Sequence, residues 1–277
     1  MRLFAPRPLL FDHMPRCGGT AFTGWLRGHY APERTLGLEG LGNAERIAAF
    51  AALDERRRHA VELVVGHGAR DVIGLVRPDM LRITCLRDPV ARVLSFHRYV
   101  LQEPKHVHHP FVTAESLGLA AFARDPRVPG ARNYYTFQFS RIPREEIALD
   151  PRAAVDAAIE FLAREFDIVG TVDRFENFAR AVRCAACLYV RADEARWTAM
   201  PRALLDRARL LSAPNVGIAN GAPERELRPS DDEIEEVRLL NSADILLFER
   251  IRALGGSRRE GSCLGGSSLA AGRCRVV

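Results

Sequence analysis

The chain has 277 residues, 47% hydrophobic and 27% charged, a composition that supports a packed globular core and excludes disordered, fibrous and membrane-spanning classes. Lys plus Arg number 40 against 35 Asp plus Glu, and the net +5 is uneven: residues 255–277 hold four Arg and one Glu, so the first 254 carry only +2, which argues against a broad nucleic-acid face. Lys105 is the single lysine and has no glycine near it, which excludes a Walker-type phosphate loop, a Schiff-base lysine and a Ser-Lys pair.

In chain order, Pro8–His13 is a short apolar run, Met14–Thr20 a glycine turn and Ala21–Leu26 an apolar repeat at helical spacing, together predicting strand, loop and helix. A helix is expected over Asn43–His59 with Asn43 as its cap, and the continuous apolar run Val61–Val65 predicts a buried strand. Leu81–Leu86 predicts a third strand, after which Asp88 caps and Pro89 opens a helix to about Leu101. Helices are also expected near 116–124 and 132–139 and over Pro151–Glu165. Phe166–Val172 reads as a fourth strand, and Asp173 as the cap of a helix reaching about Val190. A segment broken by Pro201, Pro214, Pro223 and Pro229 precedes one long amphipathic helix over Ser230–Leu254, opened by a capping box from Ser230 to Glu233. Strands alternating with helices predict a three-layer α/β fold, a central and mainly parallel sheet with helices on both faces, in one domain over residues 1–254. Ten Gly or Ser among the last 23 residues predict disorder for 255–277.

No run approaches the 18 to 20 or so apolar residues of a membrane helix, and Met1–Pro8 lacks the apolar segment of a secretory signal, so the expected location is cytoplasmic, without a membrane span. The six cysteines are scattered rather than arranged as a disulfide framework. Cys184 and Cys187 lack a second pair at zinc spacing and sit among apolar residues, so they read as core and no metal is expected. Trp25, Trp197, Phe161, Phe166, Phe175 and Phe178 read as core as well.

Two segments carry chemistry. In Pro15-Arg16-Cys17-Gly18-Gly19-Thr20 a strand enters a glycine turn at the head of a helix, where unpaired backbone N–H groups and the helix dipole attract an anion. Thr20 adds a hydroxyl, and Arg16 a permanent charge that can hold a phosphate oxygen in two-pronged fashion. The second segment, Leu86-Arg87-Asp88-Pro89-Val90-Ala91-Arg92-Val93-Leu94-Ser95, puts Arg87 at a strand end, where open α/β sheets bind ligands. Ser95 lies eight residues on, a spacing that returns to nearly the same helix face, so the two can grip one anionic group.

Together these segments resemble sulfotransferases that use 3′-phosphoadenosine 5′-phosphosulfate (PAPS), particularly the glycan-modifying branch that includes heparan sulfate 2-O-sulfotransferase and bacterial relatives. The family's His-Ile-Pro-Lys-x-Gly-Gly-Thr-like loop stands here as His13-Met14-Pro15-Arg16-Cys17-Gly18-Gly19-Thr20, and its Leu-Arg-Asp-Pro-x-x-Arg-x-x-Ser segment as Leu86–Ser95. Weaker echoes lie at Asn133–Thr136, Val169–Phe175 and Asn241–Phe248. The resemblance implies a P-loop-like fold in which Arg16, Cys17, Gly18, Gly19, Thr20 and Ala21 bind the 5′-phosphosulfate of PAPS while Arg87 and Ser95 bind its 3′-phosphate, with adenosine 3′,5′-bisphosphate as product and no metal. Arg16 departs from the pattern, since the family places there a lysine that contacts the bridging oxygen, and a planar guanidinium does not occupy that place without rearrangement.

Gly66-His67-Gly68 follows a strand and resembles the segment that supplies the family's catalytic histidine. A histidine with an ordinary pKa of about 6.5 is largely neutral at pH 7 and can take a proton from a sugar hydroxyl, so His67 is the expected base and Arg16 its catalytic partner at the leaving group. His13 and His97 read as positioning or packing residues, and the His106–His109 loop, Arg70 and Arg132 as a surface for an acidic sugar. Asn215–Gly221 is the candidate third nucleotide-contacting segment. The expected partner is a carbohydrate or other hydroxyl-bearing acceptor, with no nucleic acid. A nucleotide-dependent kinase and a non-catalytic nucleotide- or glycan-binding module are the competing classes; the kinase requires a loop lysine and Mg²⁺-holding carboxylates.

Overall fold

A computed structural model describes residues 6–40, 42–188, 229–255, 267–268 and 274–277. The chain divides into two compact units, one of Met1–Leu86, Leu162–Leu211 and Arg252–Val277, the other of Arg87–Phe161 and Ser212–Ile251.

The first unit is built on a sheet of β1 (Leu9–Asp12), β2 (Thr35–Leu38), β3 (Leu63–Gly66), β4 (Leu81–Leu86), β5 (Ile168–Thr171), β6 (Ser267–Ser268) and β7 (Arg275–Val276). The strand order is β2-β3-β1-β4-β5-β7-β6, parallel throughout except for β6, which runs antiparallel to β7. Leu9, Leu10 and Phe11 of β1 and Leu63, Val64 and Val65 of β3 are all buried, the continuous apolar run that a parallel strand covered on both faces requires. β2 escapes the sequence reading because Thr35-Leu36-Gly37-Leu38 is an edge strand, largely half-buried, with no alternation to mark it. Within the segment expected to be disordered, the described residues at the end of the chain differ: Arg275 and Val276 extend the sheet beside Ile168 and Val169, with Cys274 and Val276 buried. Three apolar residues near the terminus suffice to add a strand where the Gly and Ser content of 255–277 argues against one.

The helices are α1 (Gly19–Arg27), α2 (Asn43–Ala51), α3 (Glu55–His59), α4 (Pro89–Gln102), α5 (His109–Ala114), α6 (Leu119–Arg124), α7 (Tyr134–Ser140), α8 (Arg144–Leu149), α9 (Pro151–Glu165), α10 (Phe175–Ala185), α11 (Asp231–Leu240) and α12 (Ser242–Gly255). In the sheet unit, Phe22 of α1 meets Phe11 edge-on at 5.2 Å and Phe178 of α10 at 5.3 Å, so aromatic packing ties both helices to β1. The second unit is helical, around Val90, Val93, Val100, Val112, Leu119, Phe122 and Val237.

Three expected elements differ, each because a short polar side chain finds another partner. The helix expected over 43–59 is two: Asp54 caps α3 by accepting from Arg57 N at 2.8 Å, while Asn43 donates to Leu38 O at 2.8 Å and leaves the α2 cap to left-handed Gly42. The helix expected over 230–254 breaks at Asn241, whose buried amide donates to Ala131 O and Val237 O, both at 3.0 Å, although the Ser230–Glu233 capping box forms as read. Asp173 is no cap; it lies in a 3₁₀ turn and pairs with Arg252 at 3.1 Å. α8 has no counterpart in the sequence reading, because six residues are too few to display a period.

One glycine controls the sheet edge. Gly66 has φ of +140°, and a β-carbon there would stand 2.2 Å from Leu38 O, so β2 lies against β3 only because this residue has no side chain. Gly66→Ala is expected to cost on the order of 3 kcal/mol, from the combined backbone strain and main-chain collision, measured as a lower urea midpoint at unchanged slope.

Candidate active site

β1 delivers the chain to the glycine turn. Between buried Asp12 and the head of α1, Arg16 and Gly18 both adopt left-handed backbone (φ 67° and 74°), and Cys17 N closes the turn on Met14 O at 3.2 Å. A left-handed arginine is a strained conformation of the kind that collects at ligand-binding loops. Gly18 caps α1 without a side chain, and the amides of the first helical turn have no partner inside the helix. No acidic residue stands in that turn and Thr20 is exposed, so the positive end of the helix dipole is not offset by a carboxylate of its own first turn. The loop is therefore a cradle suited to an anion the size of a phosphate or sulfate.

Gly19 links this cradle to the histidines. A β-carbon at position 19 would lie 2.1 Å from Cδ2 and 2.3 Å from Nε2 of His13, so the imidazole occupies the space that any other side chain needs. The His13 ring stacks on Phe11 at 5.6 Å and meets the His67 ring at 4.5 Å. His67 Nδ1 lies 2.6 Å from the His13 carbonyl. A carbonyl only accepts, so Nδ1 carries the hydrogen and Nε2 presents its lone pair. Burial, followed by the charge of His13, pushes the His67 pKa below its ordinary value, keeping the ring neutral and able to take a proton at pH 7. His13 Nδ1 in turn sits 3.8 Å from Glu39 Oε1, and Glu39 accepts from Arg27 at 3.0 Å. His13 and then Arg27 hold the Glu39 carboxyl below the carboxylate range.

Arg70 does not face a sugar. Its guanidinium is buried, donating to Asp12 Oδ1 at 3.1 Å, Asp12 Oδ2 at 3.3 Å and the His67 carbonyl at 3.0 Å, because the 3₁₀ turn that follows β3 carries it under the sheet edge. Asp12, wholly buried, has its pKa raised by desolvation against the opposing pull of Arg70, and Thr84 donates to its carbonyl at 3.0 Å. The ion pair locks the ends of β1 and β3, and with them His13 and His67.

The second motif lies in the helical unit. Asp88 caps α4 by accepting from Ala91 N at 2.8 Å, with Pro89 at the first turn, as read. Arg87 is buried and precedes the helix, so helical spacing does not relate it to half-buried Ser95, one turn and a half into α4. Its backbone is fixed by Tyr135, whose buried hydroxyl accepts from Arg87 N at 3.2 Å and donates to Arg87 O at 3.1 Å. Asp244 fixes Tyr135, accepting from Tyr135 N at 3.0 Å and from Thr136 N and Oγ1 at 2.8 and 2.9 Å. Asn133, itself left-handed, accepts from Ala243 N and Asp244 N at 3.2 and 3.3 Å, while its own N donates to Asn241 Oδ1 at 3.0 Å. Two weak echoes, Asn133–Thr136 and Asn241–Phe248, thus meet in one hydrogen-bonded network whose purpose the sequence does not disclose.

His97 packs, its Nε2 2.8 Å from Leu117 O, as read. His106, His108 and His109 are half-buried; His106 and His108 contact the Phe96 ring, and His109 Nδ1 lies 2.7 Å from Val100 O. No group of three His, Cys, Asp or Glu among the described residues is placed to hold a metal, and no helix among them is long and apolar enough to cross a membrane. Trp197 and Asn215–Gly221 lie outside the described residues. Glu39 carries no local signal, and Tyr135 and Asp244 lie in two of the weaker echoes but show no role there, because they act through contacts more than a hundred positions apart, or nearly fifty in the case of Arg87. In comparisons with known proteins, no family model matches the chain and no curated protein matches it.

Two outcomes check this geometry. Arg70→Met is expected to cost about 3–5 kcal/mol in denaturant unfolding by leaving Asp12 buried without its counter-ion, whereas an acceptor contact would leave stability unmoved. His13→Gln removes the charge that opposes protonation of His67, so the His67 pKa rises in an NMR titration of the imidazole C–H resonances, and with it the pH at which the base becomes available.

Proposed function

We propose that the chain is a PAPS-dependent sulfotransferase that acts on a hydroxyl of a carbohydrate acceptor. The observation that carries this reading is His67, held as a neutral base by the His13 carbonyl and separated from the head of the phosphate-type turn by one imidazole ring. The two sequence motifs supply the donor assignment, and the strained turn at a helix head with no acidic residue in its first turn suits the 5′-phosphosulfate.

In this reading His67 Nε2 takes the hydroxyl proton as the acceptor oxygen forms its bond to sulfur. The bond from sulfur to the bridging oxygen breaks, and the electron pair departs on the 5′-phosphate of adenosine 3′,5′-bisphosphate. The Gly18–Thr20 amides and Arg16 receive that developing charge, and their fixed placement is the main source of rate. Arg16 offers a permanent, planar charge where the family has a lysine, and its left-handed backbone sets its course from the loop. The resemblance gives the 3′-phosphate to Arg87 and Ser95, and within the helical unit Tyr135 holds the Arg87 main chain.

The test is transfer of labelled sulfate from PAPS to a carbohydrate panel by the purified protein. His67→Ala is expected to lower kcat by about 10²–10⁴-fold, the usual worth of a general base, with adenosine 3′,5′-bisphosphate affinity unchanged. Undiminished turnover removes His67 from the base role. Absence of bisphosphate binding by calorimetry, with ATP and Mg²⁺ bound instead, moves the chain to the kinases, and bisphosphate binding without transfer makes it a binding module.

A further inference from the structure

Within the sheet unit, the His13 ring spans two groups of different chemistry. Its Nδ1 is buried, makes no hydrogen bond among the described residues and sits 3.8 Å from Glu39 Oε1, while Arg27 donates to the other carboxylate oxygen, Oε2, at 3.0 Å. The opposite edge of the ring, Cδ2 and Nε2, lies against Gly19 at the head of α1, so close that a β-carbon there would stand 2.3 Å from Nε2. One imidazole, 5% exposed, therefore joins a carboxylate to the glycine turn. Neither proton transfer by His67 nor charge stabilisation by Arg16 and the turn amides requires that connection.

The Glu39 side fixes the tautomer. A bare Nδ1 lone pair facing a carboxylate oxygen is repulsive, so Nδ1 carries the hydrogen. Glu39 is itself held, because Arg46 donates to its carbonyl at 2.8 Å, and His13 and then Arg27 keep its carboxyl ionised, below the ordinary carboxylate range. Nε2 is then a bare lone pair in the neutral ring and a donor in the charged one. A charged His13 ring has on its positive side the head of α1, Arg16 of the same turn, the His67 ring at 4.5 Å, and Arg70, which donates to the His67 carbonyl at 3.0 Å. On its negative side stands Glu39, since Asp12 is committed to Arg70. An anion in the turn adds a second negative neighbour, and Nε2–H gains a charged acceptor.

We infer that His13, oriented by Glu39, is an anion-binding residue of the glycine turn, and that the turn takes up its anion together with one proton on His13. Glu39 is a positioning residue, acting through His13 and touching no ligand. In the proposed reaction, on which this consequence rests, Nε2–H adds a donor to the leaving phosphate beside Arg16 and the turn amides. The charge so gained stands against the His67 ring, whose protonation burial and His13 already disfavour. Donor binding thus keeps the base available for the acceptor proton.

The experiment is calorimetric titration of the full chain with inorganic sulfate, which is divalent throughout the neutral range, in buffers of different ionisation enthalpy, so that any proton taken up belongs to the protein. Net uptake approaching one proton per sulfate is expected, with affinity falling as pH rises toward a limit of about tenfold per pH unit, the slope of one linked proton. His13→Gln is expected to abolish the uptake and flatten the pH dependence, and His67→Gln to keep both. Glu39→Gln is expected to weaken sulfate binding about tenfold, with partial recovery in Glu39→Asp. Where a variant does not fold, the wild-type chain still reports, because sulfate moves the His13 C–H resonances toward their charged-ring positions. Sulfate binding without proton uptake, uptake that disappears in His67→Gln and persists in His13→Gln, unmoved His13 resonances, or no sulfate binding at all overturns the inference. Absence of transfer from PAPS with proton-linked sulfate binding intact rejects the transferase reading and leaves the anion contact standing, and transfer by a protein that binds sulfate without a proton does the reverse.

Discussion

The imidazole of His13 fills the only space in which a β-carbon at position 19 fits, and that single exclusion couples three features of the sheet unit. It requires glycine at the head of α1, it sets the approach of the glycine turn to β1, and it gives His67 a ring to lie against and a carbonyl to bind. The parallel register does the rest. Asp12 is paired with Gly66, the last residue of β3, so β1 and β3 end together and their following loops share one end of the sheet. The buried Asp12–Arg70 pair holds that edge at the cost of desolvating both charges, which makes it a device of position more than of stability.

The helical unit applies the same economy differently. Tyr135 satisfies both backbone groups of Arg87 with one hydroxyl, and Asp244 satisfies two amides and a hydroxyl with one carboxylate. Asn133 joins the starts of α7 and α12, donating from its own N to Asn241 Oδ1 and accepting at Oδ1 from Ala243 N and Asp244 N. A buried network in which every member is bonded is rigid, because each displaced group would be left unpaired in a medium of low dielectric. The Arg87 main chain is thereby held by side chains of the helical unit.

Much of the fold was legible because its signals are local. The central strands β1, β3 and β4 are short, continuous apolar runs, and the caps at Asp88 and Ser230 are written in adjacent residues. What escaped reading did so for want of a local signal: edge strand β2, helix α8 and the terminal strand β7 are four, six and two residues long. The breaks at Asp54 and Asn241 share a different cause, since each side chain abandons the helix it was expected to continue for a partner that periodicity cannot reveal.

The candidate site divides along the same line. Chain order alone determined a mainly parallel α/β sheet, a glycine turn at a helix head, an arginine after a strand and a histidine after another, because strand ends, turns and caps depend on neighbouring residues. Tertiary structure alone decided that Arg70 is a buried counter-ion, that Tyr135 and Asp244 stand behind Arg87, that Glu39 faces His13 and that the His13 carbonyl leaves Nε2 as the basic nitrogen of His67. Burial and charge pairing belong to distances between residues tens to more than a hundred positions apart, and composition and periodicity contain no term for such distances.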